Sequence, residues 1–163
     1  MNTSNIKKYA PQARNDFIAA MRKQAAKYGI TADSILPAEQ KGDLLLIGDQ
    51  VFPLSVMKPR DKLIKRIQTS SFEQTIDYIA YSWFNRLCAI RYMECKGLLD
   101  HGRRVLSSAD GSAGLPQILE ECLDIDLPGL DASRVAELRL DGNKDEELYR
   151  ELLLAQCHAL NQV

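Results

Sequence analysis

Two strings in this chain, Glu39-Gln40-Lys41 and Glu94-Cys95-Lys96, match the carboxylate–x–lysine pattern that some nucleases use at a divalent metal. That chemistry needs paired acidic ligands, which hold the metal where it can act on a phosphodiester. The second string ends an expected helix, and the first lies in a connector with no periodicity. Asp43 adds a nearby carboxylate but no convincing constellation, so nuclease chemistry is not expected. Cys88, Cys95, Cys122 and Cys157 form no CxxC pair, and His101 and His158 lie far apart. A zinc site would have to gather its ligands from scattered elements, and no metal site is expected. Gly42 and Gly48 fit neither the GxGxxG nor the GxxxxGK(S/T) spacing of a phosphate loop. No catalytic residue is assigned.

The polar clusters that remain point to binding. Lys58, Arg60, Lys62, Lys65 and Arg66 fall in and just before one expected short helix, with Asp61 partly offsetting them. Such a patch can contact phosphates and would then bind with salt-sensitive affinity. It equally suits a solubilising helix surface. A second cluster, Arg86, Arg91 and Glu94, lies on a long helix that also carries Trp83. On a helical wheel Arg86 and Glu94 fall within or beside the apolar arc, with Arg91 at its margin, so a buried structural polar network is expected. Direct contact of Arg86 with nucleic acid or cofactor, or its snorkelling to solvent, are the other readings. Tyr78, Tyr81 and Tyr92 lie on the less apolar side of that helix, where they could stack on a partner or pack between helices.

Charge divides along the chain. Residues 1–100 hold 15 Lys/Arg and 10 Asp/Glu, whereas residues 101–163 hold 6 and 12. A basic portion suits nucleic acid, although such a bias is also common on solvated surfaces. The acidic end could engage a basic protein, but Asp145, Glu146 and Glu147 also simply suit the start of a helix.

The elements that must position these groups are mostly helical. In 163 residues, 45% hydrophobic and 26% charged, there is material for one modest domain or two small lobes. A helix is expected over 11–28, with Pro11 in its first turn and Gly29 as its stop. Leu44–Ile47 and Val51–Leu54 flank Gly48-Asp49-Gln50 as a small hairpin, with Pro53 on an edge strand. A short helix follows from Pro59 to Ile67 or Gln68, then a long one from Ser71 to Lys96. Ser70 with Glu73 is a capping-box pattern, and Gly97 is the stop. Trp83, Leu87 and Ile90 belong to the inward arc. Shorter helices are expected at 116–123, 132–140 and 144–160, with Asp131 and Asn143 as caps. The small polar residues of Ser107–Gly114 read as a mobile loop or boundary, giving a helical domain with hairpin over 1–110 and an extension or second lobe over 111–163. The fold class is mainly α, a multi-helix domain with a small β-hairpin. No apolar run approaches the roughly 20 residues needed to cross a bilayer. The first residues lack the apolar core of a secretory signal, so a cytoplasmic protein without membrane contact is expected.

Three stretches carry a family resemblance: Met1–Arg14, Trp83–Leu87 with Ala89–Glu94, and Gly97–Gly102. At these residues the chain resembles the amino-terminal region of the PglX family, adenine-specific DNA methyltransferases of bacteriophage-exclusion (BREX) systems. The similarity spreads through at least the first 107 residues. The opening block and the Phe84-Asn85-Arg86 block are fairly specific when taken together.

The resemblance implies a parent enzyme much longer than this chain. That enzyme would transfer a methyl group from S-adenosylmethionine to the N6 of adenine in duplex DNA, using an Asn-Pro-Pro-Tyr motif in a Rossmann-like domain. Neither that motif nor a Gly-rich cofactor loop occurs here, so no family catalytic residue is carried onto this sequence. The expectation is a non-catalytic amino-terminal portion that binds no cofactor itself. Its implied partners are duplex DNA, the remaining PglX domains and other BREX proteins. Support of DNA engagement and protein–protein assembly or regulation are the two roles open to it.

Overall fold

The computed structural model describes residues 4–160. Met1, Asn2 and Thr3 of the opening block lie outside the described residues. The chain divides after Phe84 into two compact units, so that the long third helix contributes its first half to one and its second half to the other. The Ser107–Gly114 segment, expected to separate two lobes near residue 110, instead lies inside the second unit. Ser107 is buried there, and its carbonyl accepts from the Gln117 amide at 3.0 Å.

The first unit opens with helix α1, Ser4–Lys27. The helix starts seven residues before the expected position 11, and Pro11 lies inside it. A proline in a helix interior deprives the carbonyl four residues back of its donor. Here that carbonyl belongs to Lys7, an exposed residue where water can substitute. Gly29 adopts φ 69°, a left-handed stop that a Cβ would disfavour, and the chain then turns tightly through Ile30–Ile35.

A three-stranded antiparallel sheet follows rather than a two-stranded hairpin: β1, Ala38–Lys41; β2, Leu44–Ile47; β3, Gln50–Pro53, in the order β1-β2-β3. The connector expected around Glu39 is strand β1. All four of its residues are exposed, so no apolar alternation announced it. Gly42-Asp43 and Gly48-Asp49 form the two tight turns, with φ 60° and 57° at the glycines. Leu45, Ile47 and Phe52 point to one side, against Tyr28, Val56 and Met57.

Helix α2 spans Met57–Thr69, two residues longer at its start than expected, and α3 spans Phe72–Lys96. Ser71, not Ser70, caps α3: its hydroxyl accepts from the Gln74 amide at 3.2 Å. The Ser70 hydroxyl is engaged with the Arg66 carbonyl and Thr75. Glu73 reaches Arg22 on α1 instead of closing a capping box. Ala25, Ile30 and Ile76 form the buried centre of this unit, surrounded by Ile18, Met21, Leu63, Ile64, Ile67 and Phe72. Phe17 and Phe84 meet edge to face with ring centres 5.7 Å apart.

The second unit contains the remainder of α3, then α4 at Gln117–Glu120, a single 3-10 turn at Cys122–Asp124, α5 at Ala132–Asp141 and α6 at Asp145–Leu160. The expected helix over 116–123 is thus split between α4 and the 3-10 turn. Asp131 caps α5 by accepting from the Ser133 and Arg134 amides. Helix α6 starts after Lys144, whose carbonyl accepts the Leu148 amide, so Asn143 does not hold the cap position. The Asn143 amide donates instead to the Asp141 carbonyl. Ile90, Val105, Ile118, Leu138, Leu148 and Leu152 make a fully buried core. Among the described residues, no helix is long and apolar enough to cross a membrane.

Candidate nucleic-acid interface

The sequence of α2 sorts its side chains by angle. Successive residues turn about 100° on a helix, so Lys58, Lys62 and Lys65 share one stripe and Arg66 stands at its flank. All four are exposed. Asp61 borders the stripe on its other side and is exposed as well. Leu63, Ile64 and Ile67 occupy the opposite arc and pack into the core of the first unit.

Arg60 departs from the expected patch. It falls at the centre of the apolar arc, and the residue is only 6% exposed. Its Nε donates to the Tyr28 carbonyl at 2.9 Å, and its Nη2 donates to the Leu36 carbonyl. Burying a guanidinium is costly unless its donors are received. Here they satisfy carbonyls of the turn after α1, and Arg60 is removed from any surface that α2 presents.

Arg66 has a neighbour as well. Its guanidinium lies 3.8 Å from the centre of the Tyr78 ring on α3, a cation–π contact that holds the charge at the surface. Tyr78 and Tyr81 are exposed by 53% and 67%. Close by in sequence, Phe17, Ile18, Ala80, Tyr81 and Phe84 line an apolar cleft of about 220 Å³ between α1 and α3, with the Arg14–Asp77 ion pair at its lip.

In the second unit a set of polar groups gathers around Glu94. The Glu94 carboxylate is fully buried while Arg91 is half exposed. One Glu94 oxygen accepts from the Val105 and Leu106 amides, each at 2.8 Å. The other accepts from Arg91 and, at 3.0 Å, from the Ser107 hydroxyl. Burial pushes the Glu94 carboxyl upward. The Leu106 amide, Arg91, Ser107 and the Val105 amide together outweigh it and hold the group below the usual carboxylate range. Tyr149 completes the clasp by donating to the Val105 carbonyl at 3.0 Å.

Arg86, by contrast, is an exposed residue. It lies about 80° from the centre of the apolar arc on an ideal helix, whereas Glu94 lies near that centre. The charge of Arg86 is felt at Cys157, where it opposes the upward push of burial on the thiol. Sequence reasoning did not find Ser107, whose 13-residue separation from Glu94 follows no local pattern. It also missed the pairing of His101 with Gln156. The His101 Nδ1 accepts the Arg103 amide at 3.1 Å, which leaves Nε2 to donate to the Gln156 side-chain oxygen at 2.7 Å.

Gly42 and Gly48, the glycines beside strands, are spent on hairpin turns rather than leading a strand into a helix. Among the described residues, no group of three His, Cys, Asp or Glu side chains could hold a metal ion.

No family model matches the chain. Over 168 aligned positions and 99% of its length it is 48% identical to the adenine-specific methyltransferase BrxX of Escherichia coli O9:H4 strain HS. Over that span the chain is homologous to a small part of this methyltransferase. The adenine-specific methyltransferase PglX of Lacticaseibacillus casei strain Zhang is 29% identical over 180 positions, again across 99% of the chain. The chain spans 14% of the BrxX relative and 15% of the PglX relative.

Proposed function

We propose that this chain is a non-catalytic, amino-terminal portion of a longer S-adenosylmethionine-dependent DNA adenine-N6 methyltransferase of a BREX system, and that its first unit helps the enzyme hold duplex DNA. The observation that carries the reading is the 48% identity across 99% of the chain to a methyltransferase of which it spans 14%. The sequence carries neither an Asn-Pro-Pro-Tyr motif nor a Gly-rich cofactor loop, which supports assigning cofactor and methyl transfer to the rest of the polypeptide. A cytoplasmic location follows from a substrate in host DNA.

A duplex adenine must leave the stack before a methyltransferase pocket can reach it, at a cost of a few kcal/mol. Contacts to the sugar-phosphate backbone help offset that cost without choosing a sequence. Lys58, Lys62 and Lys65 are suited to this task because α2 presents them along one exposed stripe, with Arg66 beside them. Charge reversal of the three lysines in the full-length enzyme should weaken its binding to unrelated duplexes alike. Unchanged affinity would remove the stripe from the DNA interface.

A second reading is a protein–protein assembly or regulatory module within the BREX complex. Leu115, Leu123 and Leu140 of the second unit favour it, since they are exposed by 61%, 66% and 88%. Loss of association with another BREX protein on substituting these leucines, with DNA affinity intact, would support that role.

A further inference from the structure

Strand β2 reads Leu44-Leu45-Leu46-Ile47, without the alternation of an antiparallel strand that has one face in water. Uninterrupted apolar runs belong to strands covered on both faces. The pairing register shows where the second covering is missing. Leu45 stands opposite Phe52 on the inner face. On the outer face Glu39, Leu46 and Val51 form one cross-strand row, and Lys41, Leu44 and Pro53 form the next. Leu44 is 48% exposed and Val51 60% exposed. The sheet therefore carries an apolar block on the face turned away from the core of its own unit, margined by Glu39 and Lys41.

We propose that this outer face seats another segment of the same methyltransferase polypeptide, one that lays apolar side chains over Leu44, Leu46, Val51 and Pro53. The inference rests on the reading that the chain is part of a longer enzyme, and not on the DNA contact. One observation and two physical arguments choose this occupant. Relatives are about seven times the length of this chain, so most of such a polypeptide lies outside it. A tethered segment meets its seat at an effective concentration that reaches millimolar for short flexible linkers, so a small patch suffices. A freely associating partner needs about 800 Å² on each side, more than four partly exposed side chains offer. The occupant lies over the face rather than pairing with β1, because the polar strand Ala-Glu-Gln-Lys is an edge of the kind that resists strand addition.

The test uses Leu44→Cys and Val51→Cys, each made in the 163-residue chain and in the full-length methyltransferase, with thermal unfolding compared with the parent protein. Alkylation by a maleimide is followed at the level of the peptide carrying the new thiol, so the exposed Cys88 and Cys95 do not interfere. Docking predicts labelling at least tenfold slower in the full-length enzyme than in the 163-residue chain at both positions. Equal rates overturn the proposal. Protection that grows with the concentration of the 163-residue chain overturns it in favour of a second copy. Protection appearing only when another BREX protein is added overturns it in favour of a separate partner. Adenine methylation by the same full-length preparations separates the two readings. Methylation with both thiols unprotected sinks the docking alone, whereas its absence from the full-length parent protein sinks the reading on which the docking rests.

Discussion

Arg60 donates from Nε to the Tyr28 carbonyl at 2.9 Å, joining α2 to the turn that ends α1. The same guanidinium reaches the Leu36 carbonyl ahead of β1. A charge that looked like part of a phosphate-binding surface is thus spent on holding the sheet and two helices of the first unit together.

Arg60→Met keeps much of the side-chain volume and removes every donor. Both bonds are part-buried, and a carbonyl left without its donor costs up to about 1–3 kcal/mol where water does not replace it. Denaturant unfolding should show a loss of about 1–3 kcal/mol in the unfolding free energy. Lys62→Met, on the exposed stripe, should stay within about 0.5 kcal/mol of the parent.

Gly29→Ala tests the join between α1 and the sheet. The backbone there has φ 69°, and an added Cβ would stand 2.6 Å from Ile47 Cγ2. Left-handed backbone alone costs an L-residue roughly 1–2 kcal/mol, and the clash adds to it. Thermal unfolding should reveal a larger loss than Gly97→Ala, where φ is 64° and no atom lies within 4 Å of the added carbon.

The Glu94 clasp gives the second unit a defined acid sensitivity. The folded value lies below the ordinary 4.5, so the unfolded state takes up protons first as the pH falls. Its contribution is complete above the unfolded value and is lost as the pH drops through the folded one. Asp110, held at about 2 by the Ser108 hydroxyl and then by Ser112, loses its contribution as the pH falls toward that value. Glu94→Gln should lower stability at neutral pH and flatten its dependence below about pH 5. A variant with the parent's pH profile would show that the carboxylate is not the group being titrated.

Purified as 163 residues, the protein should transfer no labelled methyl group from S-adenosylmethionine to adenine N6 in a duplex. Neither an Asn-Pro-Pro-Tyr motif nor a Gly-rich cofactor loop is present in its sequence. Transfer above a protein-free control would overturn the assignment of catalysis to the rest of the enzyme.

Local signals made much of the fold legible. Gly48-Asp49 between apolar runs gave the β2–β3 turn, Asp131 gave the start of α5, and Gly97 the end of α3. Strand β1 was not legible, because Ala-Glu-Gln-Lys becomes a strand only by pairing with β2. Pro11 misplaced the start of α1, since an exposed helix tolerates it where a starting position was expected. At the candidate site, charge concealed angle. Arg60 shares a helical arc with Leu63, Ile64 and Ile67, and that spacing could have assigned it to the core. The Glu94 position was readable from the wheel, but Ser107 and the Val105 and Leu106 amides were not. Trp83, expected as a core anchor, is only partly buried.

The most direct test of the central claim measures duplex affinity across salt concentrations for the full-length enzyme and its Lys58→Glu/Lys62→Glu/Lys65→Glu variant. Arg66 is left in place because it packs over Tyr78. Each phosphate contact contributes about 0.9 to the slope of log affinity against log salt. If the stripe lies on the backbone, the variant should bind unrelated duplexes more weakly, with a slope shallower by up to about 3. An unchanged affinity and an unchanged slope, in a variant that unfolds like the parent, would contradict it.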